Sequence, residues 1–85
     1  RDNVVYVIEE EWEGPKWDRE KTFTLCGNWD KAQERFASDK EDADTLMHGR
    51  CDEWNTEYNT PTHYLIEAGG YNYWCEVIVS KKEIE

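Results

Sequence analysis

Five side chains of this sequence could ligate zinc: Cys26, Cys51, Cys75, His48 and His63. Thiolates and imidazoles are the ligands zinc favours, and His48 with Cys51 would be neighbours on a helix. No CxxC or HxxxH pair is present, and the cysteines stand about 25 residues apart. Free thiols are therefore expected, with Cys51 and Cys75 buried in apolar surroundings, and no metal is assigned. Asp39, Glu41, Asp42 and Asp44 have the density of a calcium loop. Asp44, however, stands where that loop needs glycine, and Arg50 where it needs glutamate. On a helix, Asp42 and Asp44 would point about 160° apart, so a solvated face is the expectation. No nucleophile–base pair, phosphate-cradling glycine loop or zinc-deaminase pattern occurs. A chain of 85 residues has room for one thin core and little for a pocket that could shift a catalytic pKa. The expectation is a non-enzymatic protein without a cofactor.

Charge carries more information than motifs. Twenty acids face ten Lys and Arg, a net charge of −10. Direct binding to nucleic acid or to an anionic membrane is disfavoured, because such binding relies on Lys and Arg neutralising phosphate. A basic protein partner is the natural counterpart, although acidity also serves solubility. Twelve aromatics, 14% of the chain, argue for a folded domain over a disordered acidic tail. No apolar run approaches a membrane span, and no signal-peptide pattern is present. Unpaired cysteines fit a reducing cytoplasm.

The elements that would position these groups form a single domain over residues 1–85. Residues 3–13, NVVYVIEEEWE, begin as a β-rich run that alternates as a strand and turns acidic. Val4, Tyr6, Ile8 and Trp12 share one face, and Val5, Val7, Glu9, Glu11 and Glu13 the other. Gly14-Pro15 marks a turn, and residues 22–26 read as a second strand. Asn28 is an N-cap for a helix from Trp29, with Trp29, Ala32 and Phe36 inward. Ser38 with Glu41 matches a capping box, so the spacing predicts a second helix, or a kink near 37–40, with one continuous helix over 29–58 as the alternative. Ala43, Leu46, Met47, Cys51, Trp54 and Tyr58 fall on one side of that helix, with Gly49 as its weak point. Residues 63–68 and 71–79 flank Gly69-Gly70 as a tight hairpin, and Lys81 to Glu85 read as a frayed tail. The expected fold is α+β: a four-stranded antiparallel sheet with one kinked or two helices on one face, ββααββ.

On that scaffold Glu41, Asp42, Asp52 and Glu53 form an outward carboxylate face. Its two pairs are eleven residues or about 16 Å apart on a helix, the axial reach of about five phosphates at ~3.4 Å each. With Glu9, Glu11 and Glu13 they could imitate a nucleic-acid backbone. Tyr6, Trp29, Phe36 and Trp54 are assigned to the core. Trp12, Trp17, Tyr64, Tyr71 and Trp74 are assigned to strand ends, loops or the second sheet face, where Trp12 and Trp17 beside carboxylates would anchor a partner or a homodimer contact.

The strand VVYVIEEEW, a second strand leading into NWDKAQERF and a closing β-hairpin resemble small phage and mobile-element proteins. Size and acidity are similar to anti-CRISPR and anti-restriction inhibitors, several of which are DNA mimics. The resemblance implies an inhibitor acting in the cytoplasm of a bacterial host cell, blocking a CRISPR effector or other defence nuclease. Two other readings stay open. One is an immunity protein or antitoxin for a nuclease toxin. The other is a sponge for a nucleotide signal, for which Lys16, Arg19 and Lys21 around Trp17 would supply the charge.

Overall fold

The computed structural model describes residues 3–15 and 19–84. Its chain order is β1 (Val4–Glu13), β2 (Arg19–Cys26), α1 (Trp29–Arg50), β3 (Asn55–Asn59), β4 (His63–Ala68) and β5 (Tyr73–Glu83). The strands form one antiparallel sheet in the order β2-β1-β5-β4-β3, so the last strand lies in the middle. The α+β class is as expected, but among the described residues five strands and one α-helix stand in place of four strands with one kinked or two helices.

One helix suffices because its inward stripe never breaks phase. Ala32, Phe36, Asp39, Ala43 and Met47 are all buried, at helical spacings of three and four. Ser38 is therefore an exposed mid-helix residue and caps nothing. The cap at the start is Asn28, whose Oδ1 accepts from the Lys31 amide at 2.8 Å. At the other end Gly49 weakens the last turn, and Cys51 adopts extended backbone while its amide bonds to the Met47 carbonyl at 2.9 Å. The following Asn and Thr residues favour extended chain over helix, so 55–59 becomes edge strand β3, with a bulge between Thr56 and Tyr58. Trp54 and Tyr58 are consequently not helical core residues; they are 39% and 51% exposed.

The core lies between α1 and one sheet face: Ile8, Tyr64, Ile66, Ala68, Cys75, Val77 and Val79 meet Ala32, Phe36, Ala43 and Met47. Burial of Tyr64 corrects its surface assignment. Trp12 is likewise on the helix side, half-buried against the core, because period-two alternation places it with Ile8. Trp29, on the first helical turn, is exposed and touches only the flank of the core through Tyr6, with ring centroids 5.4 Å apart. Trp17 and the side chain of Tyr71 lie outside the described residues.

The β4–β5 connection is longer than a two-residue turn. A 3-10 turn covers Gly69–Tyr71, and Asn72 takes left-handed backbone with φ 60°, a conformation Asn tolerates better than most residues. Lys81 to Glu83, expected in a frayed tail, belong to strand β5: Glu83 pairs with Val4, and the Ile84 amide bonds to the Asn3 carbonyl at 2.6 Å.

Candidate functional site

Since α1 covers one sheet face, the other is left open. Registers place its side chains in cross-strand rows: Arg19, Glu13, Trp74 and Glu67; then Lys21, Glu11, Glu76, Leu65 and Tyr58; then Phe23, Glu9, Ile78 and His63. One end of this face is acidic and aromatic. Towards the other end lie Val5, Val7, Phe23 and Leu25, with Phe23 and Leu25 61% and 69% exposed on edge strand β2. The apolar side chains are there because two strands carry hydrophobic residues at both parities, which a single helix cannot cover.

The carboxylates of this face differ in how far they are neutralised. Arg19 donates to Glu11 Oε2 through Nε at 3.0 Å and Nη2 at 2.5 Å. Lys21 Nζ lies 3.8 Å from Glu9 and 3.9 Å from Glu11. Glu9 and Glu11 are thus already compensated, which weakens them as stand-ins for phosphate. Arg19 and Lys21, two of the cations considered for a nucleotide signal, are thus paired with carboxylates, while Lys16 and Trp17 lie outside the described residues.

Glu13 is different, because its Oε1 accepts the Trp74 indole N–H at 3.0 Å. Beside it opens a cleft of about 580 Å³ lined by Glu13, Leu65, Glu67, Tyr73, Trp74 and Glu76, with Gly14, Gly69 and Asn72 at its end. Three carboxylates border this cleft, and one of them, Glu76, has its Oε2 2.5 Å from His63 Nε2. Tyr58 stacks on His63 with centroids 4.5 Å apart and continues the aromatic surface. A shallow, acidic, indole-containing cleft suits a guanidinium or ammonium group, which can lie over an aromatic face while bonding carboxylates.

The helix side carries the remaining predicted groups, and they do not join the open face. Glu41 and Asp42 are exposed on α1, while Asp52 and Glu53 follow the helix in an exposed loop. The expected ladder of two carboxylate pairs on one helix is therefore absent, since α1 ends at Arg50. Glu9, Glu11 and Glu13 lie on the opposite face of the sheet from Glu41 and Asp42. Trp12 packs under Arg50, whose guanidinium carbon is 5.8 Å from its ring centroid, and its indole Nε1 donates to Glu20 at 3.4 Å.

A second acidic feature was absent from the predicted site. Glu10 points to the helix side, where it meets Asp39 and Asp42, with carboxylate oxygens of all three within 4.8 Å of one another. Burial first, then the charges of Asp39 and Asp42, push the Glu10 carboxyl up to about 7. Burial also raises Asp39, and the Arg35 charge offsets that only in part. Asp44 turns away from this group and accepts the Tyr64 hydroxyl. Cys51 and Cys75 are buried free thiols, Cys26 is half-buried, and burial pushes Cys75 up to about 12.

No protein-family model, curated protein or solved structure matches the chain.

Proposed function

We propose that this chain is a non-enzymatic inhibitor that uses its open sheet face to occupy the basic, nucleic-acid-binding surface of another protein. The partner class is a bacterial defence nuclease, of CRISPR-effector or restriction type, with access to DNA or RNA blocked sterically and electrostatically. One observation carries the reading: an acidic, Trp74-containing cleft and the exposed Phe23 and Leu25 share the face that α1 leaves uncovered. Arginine and lysine side chains that normally hold phosphate would enter the cleft, between Glu13, Glu67 and Glu76. Phe23 and Leu25 would bury against apolar surface beside them, giving the affinity that charge alone seldom supplies. Negative charge over the whole domain would speed encounter and make binding fall with salt.

The deciding experiment measures nucleic-acid cleavage by a panel of purified CRISPR effectors and restriction nucleases in the presence of the protein. Inhibition of at least one, lost in a Glu67→Lys, Glu76→Lys double variant and retained in Glu41→Lys, Asp42→Lys, is the expected pattern. The reverse pattern would move the interface to the helix, and no inhibition across the panel would overturn the inhibitor reading.

A further inference from the structure

β2 is an edge of the sheet, and the bonding pattern fixes which of its backbone groups point outward. The Ile84 amide bonds to the Asn3 carbonyl, and in an antiparallel pair such bonds recur at every second residue. Odd-numbered residues of β1 therefore bond to β5, and even-numbered ones to β2. On β2 their partners are also even-numbered, Thr22 and Thr24 among them. The N–H and C=O groups of Arg19, Lys21, Phe23 and Leu25 consequently point away from the sheet, where no described strand pairs with them.

The two edges differ in how they meet this exposure. β3 is five residues long and is interrupted by the bulge between Thr56 and Tyr58, features that discourage addition of a further strand. β2 has eight residues in unbroken register with β1, and along it Phe23 and Leu25 are 61% and 69% exposed. Lysine and arginine ordinarily blunt such an edge. Here Arg19 and Lys21 turn back over β1 to Glu11 and Glu9.

We propose that β2 pairs antiparallel with β2 of a second copy of this chain, joining two five-stranded sheets into one across a two-fold axis. Outward-pointing residues must face one another for their bonds to form, which fixes the parity of the register. Placing Phe23 on the axis sets ring against ring and Lys21 against Leu25 of the second copy, with about six backbone hydrogen bonds and no like charges directly opposed. Because β3 is blunted, pairing of β2 with β2 closes a dimer, whereas β2 on β3 would grow into a filament. Charge favours this occupant over a basic target. β2 carries two cations and one acid in a chain of net charge −10, so its edge has the wrong sign to attract a basic surface. The inference does not rest on the inhibitor reading, since pairing is measured without any target, and the cleft at Trp74 lies outside the contact.

The test is sedimentation equilibrium of the full chain from micromolar to millimolar concentration, with amide hydrogen exchange at both ends of that range. The expected result is a monomer–dimer equilibrium that tightens as NaCl is raised, because salt screens the repulsion between two acidic chains. An interface with a basic target responds to salt in the opposite sense. On dimerisation the amides of Lys21, Phe23 and Leu25 should gain protection, while those of Thr22 and Thr24, already bonded to β1, should not change. Phe23→Pro removes the amide at the axis without removing a bond inside the monomer, and should weaken association about tenfold or more. Phe23→Thr loses the ring, keeps the amide and should weaken it less. If Phe23→Pro does not fold, exchange on the parent chain decides alone. A strict monomer at millimolar concentration would overturn the proposal, as would a dimer without added protection at Phe23 or equal weakening by the two variants, either of which would move the contact from the edge to the apolar face. Species growing beyond the dimer would overturn the closed pair. Protection of the Phe23 amide only in complex with a target protein would reassign the edge to that target.

Discussion

Glu13 and Trp74 are direct cross-strand partners in the β1–β5 pair, and the indole N–H of Trp74 donates to the Glu13 carboxylate at 3.0 Å. The bond holds a large aromatic ring half-buried on a face that has no covering layer. It also leaves the ring beside Glu67 and Glu76 in the cleft. An arginine-rich peptide should therefore bind the free protein and change its tryptophan fluorescence. Trp74→Ala or Glu67→Lys should weaken that binding about tenfold or more, as expected for loss of a cation–π contact or a charge-assisted bond. Equal affinities across the three proteins, measured at one salt concentration, would remove the cleft from the interface.

Gly14 is held in place by Tyr73. A Cβ at position 14 would fall 2.0 Å from the Tyr73 ring, whose hydroxyl accepts from Arg50 Nη1 at 3.0 Å. The ring cannot swing aside without breaking that bond and disturbing Trp12 beneath Arg50. Gly14→Ala should destabilise the domain by about 1–3 kcal/mol, the usual cost of overpacking. Urea denaturation would show it as a lower midpoint with unchanged slope. A combined Gly14→Ala, Tyr73→Ala variant should lose less than the sum of the single changes.

Crowded charge at Glu10 gives a prediction of the opposite sign. Removing the Glu10 charge relieves the cost of its burial first and then its repulsion with Asp39 and Asp42. Glu10→Gln should then be more stable than the parent at pH 7, by ~1 kcal/mol after allowance for solvent screening at a half-exposed group. The check is the urea midpoint of both proteins, and a lower midpoint for the variant would contradict it.

Alkali should unfold the domain through two buried acids. Burial pushes the Cys75 thiol and the Tyr64 hydroxyl each up to about 12, from 9.0 and 10.0, with Asp44 adding to the effect on Tyr64. An acid with a raised folded-state pKa stays protonated in the fold while the unfolded chain releases its proton. Stability should accordingly be intact below pH 9 and fall from there towards pH 12, by at most ~1.4 kcal/mol per pH unit for each group. Cys75→Ala should flatten the lower part of this decline in a pH series of Tm. Thiol reagents at pH 8 should modify Cys26 well before Cys51 or Cys75.

Much of the scaffold is legible from local signals. Asn28 as the helix cap, β4 at 63–68, and the alternation of β1 and β5 all follow from side-chain chemistry acting on the nearest few residues. β3 is concealed because Cys51, Trp54 and Tyr58 happen to continue the helical spacing of Ala43 and Met47. Only Gly49 and the Asn and Thr residues beyond it announce the break. The order of strands depends on pairings between distant segments, for which no local pattern exists. Two signals of the carboxylate group do lie in the sequence. Glu10 has the parity of Tyr6, Ile8 and Trp12, and Asp39 occupies the helical stripe between Phe36 and Ala43. Both are masked by the more numerous acids on either side of them. The open-face cleft was not accessible in this way, since Glu13, Glu67 and Glu76 come together only through the registers of β1, β4 and β5.

The seating of β5 between β1 and β4 has a kinetic side. Its pairing with β1 joins the first strand to the last, so every other element must be synthesised before the centre of the sheet can close. Loop closure over such a separation must be met before the pairing rewards it, which slows folding relative to a domain built from local contacts. During synthesis β1 can hold β2 as a hairpin, while its other edge waits unpaired. Loss of β5 would accordingly sever the sheet through its middle, freeing edges of β1 and β4 at once.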